Sequence, residues 1–343
     1  MGIRVGLIGL GEIHRAHLAG YLKSADEVTI AAVCDADGER AATVGSELGA
    51  RPYNNFGELF ASGEVDAVDI MLPHHLHEQT VASALQAGLH VLVEKPAAPS
   101  EQAVANLERQ AAERGLMLAV AENTRFLKAY LVVAEILQRG DIGQVEVVRT
   151  LICGNETERL GNVASWKGRK AGTLGGVLFD SGAHSFYLLE WLFGGTSSLL
   201  ASASTRVAES EVEDFAVVVG SLRNGAEFLT EYTFTAEIPW SERLEVYGSK
   251  GSIIVDQLAD PVVKVFSGKT DWNGQGREDV PYQPSQWKTG SIADEVVDFV
   301  RALVDKRPHA VQLRDVRAAM LAIEAAYESL ARDSTRVTVQ RPS

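Results

Sequence analysis

Three separated stretches carry side chains able to bind an oxygen and move its proton. Glu94-Lys95-Pro96 closes the apolar run His90–Val93. An ammonium held at such a strand end can hydrogen-bond a substrate oxygen and favour its negative form. A lysine that merely marks the solvated end of a strand fits this tripeptide equally well. Asp180 and His184 stand four residues apart behind Gly172-Thr173-Leu174-Gly175-Gly176. On a helix that opens at Asp180 they share one face, where a carboxylate can fix an imidazole's tautomer and leave its other nitrogen to accept a proton. Beside that reading stands a plainer one, in which Asp180 caps the helix and His184 packs against a sheet. Pro73-His74-His75-Leu76-His77 ends a third apolar run, Ala67–Leu72. With no cysteine nearby, these histidines suit a cofactor-lining turn or a helix cap better than a metal, and no metal is expected.

The N-terminal segment offers a place for a cofactor. Gly9-Leu10-Gly11-Glu12-Ile13-His14 follows the strand-like run Ile3–Ile8 and opens a helical pattern. The first glycine allows a tight turn, the second lets backbone approach a pyrophosphate, and the helix N-terminus supplies free N–H groups. Asp35 follows the next apolar run, 24 residues beyond Gly11, and is placed to accept from ribose hydroxyls. Asp35 and Asp37 disfavour an added 2′-phosphate, although Arg40 lies one helical turn on and can compensate. NAD(H) is therefore expected over NADP(H). His14 occupies the position where this turn ordinarily has a third small residue.

These residues need rigid elements to hold them. Apolar runs at Ile3–Ile8, Val28–Cys34, Ala67–Leu72, His90–Val93 and Leu116–Ala121 alternate with helical patterns at Ile13–Lys23, Gly38–Leu48, Leu76–Ala87 and Ser100–Arg114. Nearly continuous apolar strands alternating with helices imply a parallel, doubly wound α/β domain. After a helix near Leu127–Arg139 the chain becomes rich in strands, such as Val145–Ile152, Ser198–Val207, Phe215–Leu222 and Glu227–Phe234. Few helices separate them, so neighbours are expected to be antiparallel. The chain thus divides into 1–121, a dinucleotide-binding domain, and 122–343, a strand-rich domain expected to hold the substrate. Every tryptophan, including Trp166 and Trp287, falls in the second part, where such rings can stack on a sugar or simply fill a core.

The 343 residues carry a formal charge of −14, which disfavours nucleic acid and anionic membranes as partners. No apolar run approaches the roughly 18 residues that span a bilayer, and the N-terminal segment has no signal-peptide pattern. Two cysteines, Cys34 and Cys153, are too few for a disulfide framework. A cytoplasmic enzyme is expected.

The ordered set Gly9-Leu10-Gly11, His17, Asp35, Pro73-His74, His77, Glu94-Lys95-Pro96, Arg125-Phe126, Gly175-Gly176, Asp180 and His184 resembles the Gfo/Idh/MocA oxidoreductases, which include inositol dehydrogenase and glucose–fructose oxidoreductase. The resemblance spans nearly the whole chain. It implies an N-terminal Rossmann domain and a C-terminal α/β domain with a large, open, mostly antiparallel sheet. That sheet commonly serves as the face of a homodimer or homotetramer. It also implies that Lys95, Asp180 and His184 are catalytic, and that Glu94, Lys95 and Asn123 approach the nicotinamide and its ribose. Gly9, Gly11, Glu12, Ile13, Asp35, Leu72, Pro73, His74 and His77 complete the expected cofactor set. Relatives often have a cis peptide corresponding to Lys95–Pro96, and many carry an acid where this chain has Tyr187.

The expected reaction is oxidation of a secondary hydroxyl of a sugar or cyclic polyol, inositol-like, by hydride transfer to NAD. His184 serves as base, Lys95 holds the oxygen and Asp180 orients His184. Lys95, Asn155, Trp166, Arg169, Asp180 and His184 are the candidate substrate contacts, with Lys167, Tyr282 and Trp287 nearby in sequence. A cationic Lys167/Arg169 pair leaves open an acidic or phosphorylated sugar. The alternatives are a sugar carbonyl reductase, a transient-oxidation enzyme with tightly held NAD, and a non-catalytic NAD(H)-sensing regulatory protein.

Overall fold

The computed structural model describes residues 2–267 and 287–342. In chain order the described residues form β1 (Ile3–Ile8), α1 (His14–Lys23), β2 (Val28–Cys34), α2 (Gly38–Leu48), β3 (Arg51–Tyr53), α3 (Phe56–Ala61), β4 (Ala67–Ile70), α4 (His77–Gln86), β5 (His90–Glu94), α5 (Glu101–Glu113) and β6 (Leu118–Ala121). There follow α6 (Lys128–Arg139), β7 (Val145–Cys153), α7 (Thr157–Gly161), α8 (Lys170–Thr173), α9 (Val177–Phe193), β8 (Thr196–Ser204), β9 (Phe215–Leu222), β10 (Glu227–Thr233), β11 (Ser241–Gly248), β12 (Gly251–Asp256) and β13 (Val263–Ser267). Last come α10 (Trp287–Asp305), α11 (Leu313–Ala331) and β14 (Val337–Thr338).

The first six strands make a parallel sheet in the order β3-β2-β1-β4-β5-β6. Chain order reverses beside β1, so β1 and β4 end together around the glycine turn, which is where such sheets open a ligand crevice. Strands β4 and β6 are buried throughout, as the helix-covered parallel sheet requires. The short strand β3 and helix α3 escape the sequence reading. Arg51-Pro52-Tyr53 has too few residues to show a period, whereas α3 is announced by the cap residue Asn55, whose side chain accepts from Gly57 and Glu58 N–H.

The other strands form a sheet ordered β13-β12-β11-β7-β10-β9-β8-β14, with β7–β10 as its parallel pair and the other pairs antiparallel. Burial alternates residue by residue along β9 and β10, so one face is core and the other is more open. Helix α9 packs against β8, β9 and β10 on the covered face.

Two compact units result: residues 1–125 with 288–314, and residues 126–287 with 315–343. A single cut at 121/122 misses the return of 288–314 to the first unit. The reason lies in α10, whose Val296, Phe299 and Val300 are buried among Val5, Leu7 and Tyr21. Each such side chain contributes roughly 1.5–3 kcal/mol of burial, enough to outweigh sequence distance. Gly20 makes the approach possible, since a Cβ there would lie 2.5 Å from the Ala293 carbonyl oxygen. No helix among the described residues is long and apolar enough to cross a membrane.

Candidate active site

In the first unit the glycine turn has the geometry its residues suggest. Gly9 takes φ +88°, and a Cβ on it would sit 2.5 Å from the Met71 carbonyl oxygen, so only glycine fits. A Cβ on Gly11 would meet nothing within 4 Å, which leaves open space over the turn. No side chain caps the start of α1, and its first turn contains no acid. An open, uncapped, unopposed helix N-terminus fits a dinucleotide pyrophosphate. His14 is accommodated by folding its ring back, with Nδ1 against the Gly11 carbonyl oxygen.

Asp35 ties this turn to β2. Its Oδ2 accepts from Leu10 N–H at 2.8 Å and its Oδ1 from Asp37 N–H at 2.9 Å. Arg40 bridges Asp35 and Asp37, at 3.2 Å from each. The cation that could have met a 2′-phosphate is thus already shared by two carboxylates, which fits NAD better than NADP.

Leu72, Pro73, His74 and His77 lie just beyond β4. His77 is fully buried and its two ring nitrogens lie 2.8 Å from the Pro96 carbonyl and 2.7 Å from the Leu72 carbonyl. Burial holds its pKa below the usual histidine range, so the neutral ring donates to one of these two carbonyls. Its ring meets that of His74 edge-on at 5.8 Å. Among the described residues no group of three or more His, Cys, Asp or Glu is arranged to hold a metal.

Glu94 and Lys95 are half-buried at the end of β5, and the Lys95–Pro96 peptide is cis. Glu94 Oε1 lies 3.1 Å from His17 Nε2, and Oε2 accepts Lys95 N–H at 3.1 Å. Asn123 is buried, and its amide donates to Ser291 on α10 at 2.8 Å. Part of its hydrogen-bonding capacity therefore serves the packing of α10, a use the sequence did not disclose.

In the second unit α9 begins at Val177, three residues before Asp180, so Asp180 sits in the first turn rather than opening the helix. Asp180 and His184 remain one turn apart. They are half-buried in a stretch whose other residues from Val177 to Leu189 are all buried. Lys167 donates to Asp180 Oδ2 at 3.3 Å, and its ammonium lies 5.4 Å from the Trp166 ring centre.

The N-terminus of α9 is held by Glu213, a residue the sequence reading passed over. One oxygen, Oε1, accepts from Gly176 N–H at 3.0 Å, Leu178 N–H at 3.2 Å and the Tyr327 hydroxyl at 2.7 Å. The Glu213 carbonyl accepts Val177 N–H at 2.9 Å. A Cβ on Gly176 would lie 1.8 Å from that carbonyl oxygen, and one on Gly175 would lie 2.2 Å from the Tyr327 hydroxyl. The two glycines are needed for this close approach. No local spacing links Glu213 and Tyr327 to residue 176, so nothing short-range could reveal them.

The remaining candidates divide. Asn155 is exposed; its Oδ1 accepts from Thr157 N–H and Oγ, and its amide donates to Glu237. Arg169 donates to Glu211 at 3.2 Å and to the Glu209 carbonyl at 3.1 Å. Tyr187 is buried at 1% exposure and belongs to the core, so it does not take the place of a substrate-contacting acid. Trp287 opens α10, edge-on to Tyr130 at 6.2 Å. Tyr282 and Trp272 lie outside the described residues.

Comparison with known proteins agrees with this architecture. Residues 3–122 match the oxidoreductase family with an NAD-binding Rossmann fold, and residues 130–254 match the GFO/IDH/MocA C-terminal domain. An uncharacterised oxidoreductase of Synechocystis is 30% identical over 283 residues, covering 76% of each chain. The myo-inositol 2-dehydrogenase of Thermotoga maritima is 26% identical over 334 residues, covering 96% of each. A levoglucosan dehydrogenase solved with NADH and levoglucosan superposes with a TM-score of 0.89 at 22% identity, covering 99% of this chain and all of that one. Sequence match and fold converge, and the chain belongs to the GFO/IDH/MocA family of NAD-binding oxidoreductases.

Proposed function

We propose that this oxidoreductase removes hydride from a secondary hydroxyl of a neutral sugar or cyclic polyol and passes it to NAD. The observation that carries the reading is the half-buried Asp180/His184 pair within a stretch, Val177 to Leu189, whose other residues are all buried. Such a stretch gives up apolar packing at those positions only for a purpose, and a carboxylate one turn before an imidazole suits proton transfer. In this reading His184 accepts the hydroxyl proton, Asp180 orients the ring, and Lys95 hydrogen-bonds the oxygen as negative charge develops on it. Gly9, Gly11, the first turn of α1 and Asp35 hold the dinucleotide, with Leu72, Pro73, His74, His77, Glu94 and Asn123 along the strand ends. Bound NAD supplies the hydride acceptor.

The preference for a neutral substrate follows from two ion pairs. Lys167 is engaged by Asp180, and Arg169 by Glu211 and a backbone carbonyl. The two cations that sequence alone offers to a carboxylate or phosphate are thus compensated, leaving Trp166 as an apolar face beside them. NAD reduction followed at the nicotinamide absorbance with matched panels of neutral, carboxylated and phosphorylated sugars and inositols tests this. Highest kcat/KM on a neutral member is expected; higher efficiency on an anionic member overturns the substrate class, and no turnover on any member overturns the reaction. The more open face of the eight-stranded sheet, with Val147 and Phe266 exposed on it, is the surface proposed to pair with a second copy.

A further inference from the structure

Strand β4 is apolar except for Asp69, which is fully buried. Its Oδ2 lies 2.8 Å from His17 Nδ1 and accepts from the Tyr21 hydroxyl at 3.1 Å. The other ring nitrogen of His17 lies 3.1 Å from Glu94 Oε1, while Glu94 Oε2 takes the Lys95 N–H. His17 itself is wholly inaccessible. Ionised carboxylates cannot donate, so an imidazole between two of them satisfies both contacts only with a proton on each nitrogen. We propose that His17 is a positioning residue, a permanently protonated imidazolium that keeps Glu94 ionised, holds its Oε1 while Oε2 takes the Lys95 N–H, and thereby sets the place of Lys95 at the end of β5. The functional half of this inference rests on Lys95 acting in the reaction proposed above.

The surroundings account for the charge state. Burial opposes a charged His17, yet the charges and hydrogen bonds of Asp69 and Glu94 carry its pKa well above the usual histidine range. Burial likewise pushes Glu94 up, but the hydrogen bond and charge of His17, with Lys95 and Lys288, bring it down to about 2. Glu295 faces the same cluster from α10, fully buried, with neither carboxyl oxygen hydrogen-bonded among the described residues. Burial raises its pKa well above the usual range, and Glu94, Glu122 and Asp69 add to the rise against the opposing charge of His17. Burial also keeps Tyr21 neutral, with the Asp69 charge reinforcing it. One cation thus serves the Asp69 and Glu94 carboxylates, while Glu295 stays protonated. A neutral side chain at position 17 removes the cation that Asp69 and Glu94 share and leaves Glu94 only the charges of Lys95 and Lys288, so Glu94 takes up a proton at higher pH.

The test joins a spectroscopic and a kinetic arm on the full-length protein. Nitrogen-15 histidine NMR of the wild type at about pH 9 should show both His17 ring nitrogens protonated, when ordinary histidines are neutral. His17→Gln retains a donor without the charge; the Glu94 limb of log kcat against pH, at about 2 in the wild type, should rise toward the ordinary carboxylate range at about 4, with kcat falling ~10-fold per pH unit below it. KM for NAD should rise by less than kcat falls, since the pyrophosphate turn is untouched while Glu94 and Lys95 are disturbed. A side chain that only supports packing would lower the active fraction without moving the limb. Should His17→Gln not fold, Glu94→Gln serves, and it should lower kcat ~10-fold at every pH without adding a limb, since its amide lacks the charge that helps to place Lys95. A neutral His17 ring at that pH overturns the proposal, as does an active wild type whose folded His17→Gln shows no raised limb or whose folded Glu94→Gln keeps the wild-type kcat. An inactive wild type refutes the dehydrogenase reading instead, and the NMR arm then decides the His17 charge alone.

Discussion

Glu213→Ala offers a worked test of how α9 is held. The substitution removes the single oxygen that Gly176 N–H, Leu178 N–H and the Tyr327 hydroxyl share, while the backbone bond from Val177 to the residue-213 carbonyl survives. Losing a helix cap costs about 1 kcal/mol, and leaving the Tyr327 phenol without its charged acceptor costs about 1.5–3 kcal/mol more. A local loss of about 3 kcal/mol corresponds to an opening equilibrium of the first turn raised on the order of 10²-fold. Hydrogen exchange read by mass spectrometry over the peptide from 176 to 193 should lose protection by that factor, with kcat falling alongside because Asp180 lies in that turn. Glu213→Gln should keep most of the protection, since an amide oxygen can occupy the same position and accept the same three bonds. Unchanged exchange in Glu213→Ala, or equal loss in the Gln variant, would refute the idea that this shared acceptor anchors the helix.

Further expectations follow from the first unit. Asp35→Ser removes the acceptor expected to meet the ribose and leaves Arg40 paired with Asp37 alone; KM for NAD should rise ~10-fold while the ratio of NADP to NAD efficiency increases. Steady-state kinetics with both cofactors checks this, and an unchanged ratio counts against it. Glu295→Gln should raise Tm at about pH 8 and leave it unchanged at about pH 4. The sense follows because a buried acid with a raised pKa is protonated in the fold and ionised when unfolded, so rising pH above the unfolded value favours unfolding. Calorimetry across pH decides it; lower stability of the variant at the higher pH would contradict the neutral buried acid. Gly20→Ala should destabilise by about 1–3 kcal/mol, because its new methyl meets the Ala293 carbonyl and Val296. Urea unfolding reads that loss, and none would mean that α1 and α10 can separate freely.

Much of this architecture is legible from local pattern. The apolar strands of the first sheet, the glycine turn and Asp35 after β2 rest on short-range spacing, whereas the roles expected of Lys95, Asp180 and His184 rest on the resemblance to a family, since local pattern leaves a plainer reading of each open. What escaped depends on pairs brought together from far apart. Asp69 in an otherwise apolar strand announces that a partner must exist, since a carboxylate is not buried alone, but not that His17, 52 residues away, supplies it. Glu213 and Tyr327 give no local signal at all. The return of α10 to the first unit is likewise invisible to periodicity, which marks an apolar face without saying what covers it. Lys167 and Arg169 read as free cations in sequence because their partners Asp180 and Glu211 are 13 and 42 residues distant.

The central claim is that His184 and Lys95 serve one chemical step. Single-turnover reduction of NAD with the best neutral substrate, measured for His184→Ala, Lys95→Ala and the double variant, tests it most directly. Each single change should slow the step ~10²–10⁴-fold, and the double should be little slower than the worse single, as for groups that act as a unit. Near wild-type rates in either single variant, or losses that simply multiply in the double, would contradict the account.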